Sequence, residues 1–93
     1  WRGAIDEQEL KEVLLRDERM LTLWVNAQHR TKTMIGQALR DLELPEDVLV
    51  ALIRRDAQVI IPRGSTVLED GDRITVLGNP EGIEKLFHAY IGE

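Results

Sequence analysis

The run Val48-Leu49-Val50-Ala51-Leu52-Ile53 is apolar at both parities, and this restricts the folds open to the chain more than any other feature. A strand with one solvated face alternates apolar and polar side chains, whereas a strand apolar on both sides has to be covered on both. The run lies in LPEDVLVALIRRDAQVIIPRGSTVLEDGDRITVLG, residues 44–78, where apolar runs are each closed by a turn signal. Arg55-Asp56-Ala57-Gln58 turns the chain and Val59-Ile60-Ile61 answers it, which predicts a hairpin. Pro62 ends that strand and Gly64 permits the next turn. Val67 and Leu68 read as a short bridge, Asp70-Gly71 as a turn dipeptide, and residues 73–77 as the last strand.

The flanks supply the rest of the frame. Residues 20–26 alternate Leu21, Leu23 and Val25 with Thr22, Trp24 and Asn26, the period of a half-buried strand. Trp24 on the nominally polar side implies that this side also meets something. Residues 33–42 carry Met34, Ile35, Ala38, Leu39 and Leu42 at helical spacing, with Pro45 beyond. Gly36 in that helix suggests a close approach of backbone to sheet. Asn79-Pro80-Glu81 opens a C-terminal helix by capping, its stripe running through Ile83, Leu86, Phe87, Tyr90 and Ile91 to a terminator at Gly92. Residues 5–19 also predict a helix: Asp6 and Glu9 form a capping-box-like pair, and Leu10, Val13 and Leu14 form a narrow stripe. A helix so polar reads as a connector.

The expected fold is α+β: a four-stranded, mostly antiparallel sheet with two helices on one face, in the order β-α-β-β-β-α, preceded by an N-terminal linker helix. The linker occupies residues 1–19 and the domain residues 20–93. Two helices cover only one face of such a sheet, so the second face calls for a partner, and self-association is the economical answer. The sequence predicts a homodimer whose interface includes Trp24, Val48, Val50 and Leu52.

Composition narrows the function. At 93 residues the chain holds one modest core. It contains no cysteine, which removes disulfides, thiolate metal sites and cysteine nucleophiles together. A net charge of -5 argues against nucleic acid as a partner. No apolar run approaches the ~20 residues that span a bilayer, so no direct membrane insertion is expected. There is no secretory leader pattern, and the start at Trp1 suggests a piece of a longer polypeptide. Basic residues are uneven: His29, Arg30, Lys32 and Arg40 fall in a stretch without acids, and Arg54, Arg55 and Arg63 flank the predicted hairpin.

Catalytic constellations do not emerge. Ser65 lacks the second glycine of a nucleophile elbow, since Val67 stands there, and it precedes a strand. His29 and His88 are far apart and neither belongs to a spaced ligand pair. Glu69, Asp70 and Asp72 around Gly71 lack the alternating ligands of a calcium loop, and a turn is the better reading. Gly78-Asn79-Pro80-Glu81-Gly82 resembles a phosphate cradle only superficially, because Pro80 removes an amide donor and Glu81 repels anions; capping accounts for it. The hairpin arginines are the open case. Solvated strand-end charges that deter edge pairing are one reading. An anionic ligand held by Arg54, Arg55 and Arg63, with copies from two subunits brought together, is the other.

Taken in order, these motifs resemble the TrkA-C domain, the C-terminal lobe of the RCK (regulator of K⁺ conductance) module. The resemblance rests on the Gly36 segment ending in Leu42-x-Leu44-Pro45, the apolar strand into Ile53-Arg54-Arg55, Val59-Ile60-Ile61-Pro62-Arg63-Gly64, and Thr66-Val67-Leu68-Glu69-Asp70-Gly71-Asp72-Arg73. It covers residues 20–91. It implies a cytoplasmic regulatory domain, not an enzyme, tethered at the inner face of the membrane to a transporter or channel in the same or an associated chain. Potassium or cation transport leads; chloride channels, cation–proton antiporters and anion permeases are alternatives, as is a purely structural dimerisation module. The family pattern further implies a dimer that senses a small ligand, with the helix before Met20 passing its state to the membrane part. No cofactor is evident in the residues. Some relatives bind cyclic di-AMP through basic and polar residues near the loop before the central strand; here that loop, Leu44-Pro45-Glu46-Asp47, is acidic and gives this ligand no support.

Overall fold

The computed structural model describes residues 19–91. The linker helix expected over residues 5–19 and the terminator at Gly92 lie outside them, apart from Arg19. Strands β1 (Arg19–Trp24), β2 (Val48–Arg55), β3 (Gln58–Ile60) and β4 (Arg73–Gly78) form one sheet in the order β1-β4-β2-β3, with every neighbouring pair antiparallel. Helix α1 (Pro80–Tyr90) packs on one face. The β2–β3 hairpin closes through Asp56-Ala57, between the paired Arg55 and Gln58, with Asp56 at φ 54°. Asp tolerates this left-handed conformation better than most residues.

Cross-strand partners share a face, so the register sorts the side chains. Leu21, Val76 and Val50 form one core row, and Leu23, Ile74, Ile53 and Ile60 the next. Met34, Leu39 and Leu68 from the connections, and Ile83 and Leu86 from α1, close over them. Capping starts α1 as expected: the Asn79 side chain accepts a 2.7 Å hydrogen bond from the Gly82 N–H, and Pro80 takes the first turn. Asn79→Ala is expected to remove about 1 kcal/mol of stability. Urea unfolding should show a lower midpoint at unchanged slope.

The helix expected over residues 33–42 is instead two 3₁₀ turns, Arg30–Met34 and Leu39–Asp41, flanking a turn at Ile35-Gly36 and a bridging residue, Ala38. The donors that would point along a helix go to the segment before the fourth strand. Gly36 N–H bonds Leu68 O (2.8 Å), Leu39 N–H bonds Thr66 O (2.9 Å) and Arg40 N–H bonds Gly64 O (3.0 Å), and Ala38 forms a bridge with Val67. Gly36 is also not there for close packing. A Cβ at this position would meet nothing within 4 Å, but φ is +84°, which glycine adopts without strain. The apolar spacing nonetheless picked out buried residues: Met34, Ala38 and Leu39 are enclosed, with Ile35 and Leu42 against the core.

One irregularity governs the other face. β2 pairs in register with β4 up to Val50–Val76 and resumes at Leu52–Thr75, so Ala51 is an extra residue, a β-bulge. The bulge reverses the parity of the rest of β2. Val48 and Val50 point into the core, while Leu52 points the opposite way, beside Thr22 and Thr75.

Candidate functional site: an arginine row on the open sheet face

The face opposite α1 is built from alternate residues of all four strands. At one end Met20, Leu77 and Leu49 form an apolar row. Leu77 is 2 % exposed yet stands outside the core cluster, so part of this face is already sealed, whereas Met20 remains 62 % exposed. Next come Thr22, Thr75 and Leu52. At the far end lie Trp24, Arg73, Arg54 and Val59, one from each strand. Trp24 and Val59 are about half exposed, and the Arg73 guanidinium sits 5.7 Å from the centre of the Trp24 ring, a cation–π contact.

Arg54 and Arg73 are direct cross-strand partners. Like charges so placed destabilise a sheet by some tenths of a kcal/mol. Among the described residues no carboxylate pairs with either. The site residues expected from sequence therefore divide. Arg54 lies on the open face opposite Arg73, whose other cross-strand partner is Trp24. Arg63 lies in the turn after β3, its N–H bonded to Thr66 Oγ1 (3.0 Å), and no described contact joins its side chain to the row. Of the interface residues, Trp24 and Leu52 are on the open face. Val48 and Val50 are taken up by the monomer's own core, because the bulge at Ala51 separates them from Leu52.

Arg55 faces the other way and is fully engaged within the chain. Its Nε donates to Asp72 Oδ1 and its Nη2 to Asp72 Oδ2, both at 2.8 Å. Nη2 also donates to Val67 O (2.9 Å), and Nη1 pairs with Glu69 Oε2 (2.6 Å). Asp72 is completely buried and accepts a further bond from the Glu69 N–H (2.9 Å). Burial pushes the Asp72 carboxyl up, but hydrogen bonds from Arg55 and the Glu69 N–H outweigh it, and the group sits below its usual range. Asp72 raises Arg55 through their hydrogen bonds in turn. The acidic turn does bend the chain, and it also clamps it: Gly71 N–H bonds Val25 O, Val25 N–H bonds Asp72 O, and Ala27 N–H bonds Asp70 Oδ1.

Arg73, a member of the row not singled out from the sequence, carries one signal there: it alternates with Ile74 and Val76, which marks it as outward-facing. Its partnership with Arg54 needs the strand register. Among the described residues, no group of three or more His, Asp or Glu side chains could hold a metal ion, and no helix is long and apolar enough to cross a membrane.

Residues 29–90, which contain β2 to β4, all of α1 and the arginine pair, match the TrkA-C domain. The chain belongs to the TrkA-C domain family. A Trk system potassium uptake protein TrkA homologue of Archaeoglobus fulgidus is 45 % identical over 51 residues, 55 % of this chain and 12 % of that protein. The K(+)/H(+) antiporter NhaP2 of Shewanella oneidensis is 35 % identical over 60 residues, 64 % of this chain and 10 % of that protein. The TrkA-C chain thus spans only a small part of the length of these relatives. Two solved structures share its fold. One is described as an RCK domain with cda, with TM-score 0.61 and 25 % identity over 76 % of this chain and 96 % of that one. The other is the RCK C domain of the potassium transport protein KtrA in complex with c-di-AMP, with TM-score 0.66 and 23 % identity over 85 % and 92 %.

Proposed function

We propose that this TrkA-C domain regulates a potassium or other cation transport system, that two copies pair through the open sheet face, and that an anionic ligand at the arginine row biases how they pair. The observation that carries the reading is the cross-strand Arg54–Arg73 pair beside Trp24, with no described carboxylate to neutralise it. A phosphate group there would turn a repulsion into charge-assisted hydrogen bonds, and Trp24 offers a ring face for a base. Pairing about a two-fold axis would add a second copy of the row. A ligand that prefers one arrangement of the pair shifts the population toward it, and no bond need be made or broken. The transmembrane part, in the same or an associated chain, would feel that shift from a domain on the cytoplasmic side. The ligand recorded for the KtrA domain makes cyclic di-AMP the first to try.

A second reading, a dimerisation module without a ligand, draws on the apolar end of the same face, where Met20, Leu49 and Leu52 need no arginine. Sedimentation and calorimetry on one set of variants separate the two. Leu52→Glu is expected to be monomeric at micromolar concentration while the parent is dimeric; a monomeric parent ends the pairing model. Arg54→Ala with Arg73→Ala should weaken cyclic di-AMP binding at least tenfold and leave the dimer intact. An intact dimer that takes up no cyclic di-AMP would select the structural module.

A further inference from the structure

The basic stretch His29, Arg30 and Lys32 has no part in the arginine row. It lines a cleft of about 520 Å³, together with Gln28 and Tyr90, between the segment after β1 and the C-terminal end of α1. That volume is in the range of small-ligand sites, roughly 300–1,000 Å³. None of the described residues lining it is acidic. Two backbone donors of this stretch are already used: Gln28 N–H bonds Asn26 Oδ1 (2.7 Å) and His29 N–H bonds Asn26 O (3.0 Å). Side chains are what the cleft has to offer, and no described group bonds the Gln28 amide, the Lys32 ammonium or the Tyr90 hydroxyl. A helix C-terminus would ordinarily repel an anion. Here Arg30 Nη1 donates to His88 O (3.1 Å), which places a guanidinium on that negative end.

We infer that this cleft is a second anion site, which takes a phosphate group, either free or carried on a lipid headgroup. Lys32 supplies the charge, and Gln28, His29 and Tyr90 supply directional hydrogen bonds. The cleft adjoins the arginine row only where the Trp24 and His29 rings meet, and Lys32→Glu and Arg54→Ala tell failure here from failure of the ligand proposed there. The Trp24 ring lies 5.5 Å from the His29 ring, which gives an optical reporter once Trp1 is replaced by Phe.

Amide shifts of the labelled 93-residue chain, followed during addition of sodium pyrophosphate, test the free anion. Co-sedimentation with phosphatidylglycerol vesicles, against phosphatidylcholine vesicles, tests the headgroup. The amides of Gln28, His29 and Lys32 should move, or the chain should bind the anionic vesicles alone, and Trp24 emission should follow the same titration. Lys32→Glu, at an exposed position, should weaken the response at least tenfold with unchanged thermal unfolding, while Arg54→Ala leaves it in place. A response from pyrophosphate identifies a free anion as the source, and one from vesicles alone identifies a headgroup. Silence in both arms, or a response undiminished by Lys32→Glu, overturns the inference.

Discussion

Asp72→Ala is expected to lower the unfolding free energy by about 3 kcal/mol, the largest loss from any polar side chain in the domain. Removing one partner of a buried ion pair typically costs about 3–5 kcal/mol, because the other charge is left without compensation. The lower end applies here, since Arg55 keeps 26 % of its side-chain exposure and retains Glu69 as a partner. The Glu69 N–H also loses its acceptor. For a domain of this size, ~3 kcal/mol corresponds to a melting point lower by on the order of 15 °C. The pH dependence has a definite sign. A carboxyl held below its unfolded value stabilises the fold fully above that value, about 3.9. The contribution fades as pH falls through the folded value. Unfolding free energy should therefore drop below about pH 4 in the parent, and less steeply in Asp72→Asn. Denaturant melts between pH 2 and 7 would show it, and equal slopes for parent and variant would remove Asp72 as the cause. The double change Arg55→Met with Asp72→Leu should cost less than Asp72→Ala alone, since it leaves no buried charge behind.

Gly78→Ala should be nearly as damaging, although it adds a single methyl group. A Cβ at Gly78 would stand 2.5 Å from Val48 Cγ1, 2.7 Å from Asp47 O and 3.0 Å from Val48 Cα. Two of these three atoms belong to the backbone, so β2 and β4 must move apart where Val48 and Gly78 pair. Overpacking of this kind costs about 1–3 kcal/mol. The same Val48 methyl would meet a Cβ at Gly82, at 2.8 Å. Capping thus explains Asn79 and Pro80 in the Gly78–Gly82 junction, but the glycines answer to Val48. Val48→Ala removes one obstacle and leaves Asp47 O, so it should rescue Gly78→Ala only in part. Chemical denaturation of the two single variants and the double variant measures that coupling; strict additivity would show that the methyl is not the obstacle.

Much of the domain was legible in the sequence because it is written locally. Alternating Leu21, Leu23 and Val25 identified the inner side of β1; Asp56-Ala57 and Asp70-Gly71 identified turns; Asn79-Pro80 identified the start of α1. The residues at 34, 38 and 39 were recognisable as buried, although their helical spacing pointed to the wrong backbone. Spacing reports which side chains are apolar; it does not report where the amides find acceptors. Gly36, Leu39 and Arg40 find theirs in residues 64–68, beyond the reach of any local pattern.

The two-sided run at 48–53 by itself determined that a strand there would have apolar residues facing both ways. Which residues face which way was settled by the tertiary structure. The extra residue at Ala51 sends Val48 and Val50 inward and Leu52 outward, because a one-residue offset exchanges the faces of a strand. The neighbouring arginines were likewise equivalent in the sequence. The pairing of β2 with β4 put Arg54 opposite Arg73 on the open face, while Arg55 turned inward to a buried carboxylate. Local periodicity marks which side chains are buried. Strand register and long-range hydrogen bonds, which exist only once distant segments meet, decide which arginine pairs with a buried carboxylate and which stays on the open face.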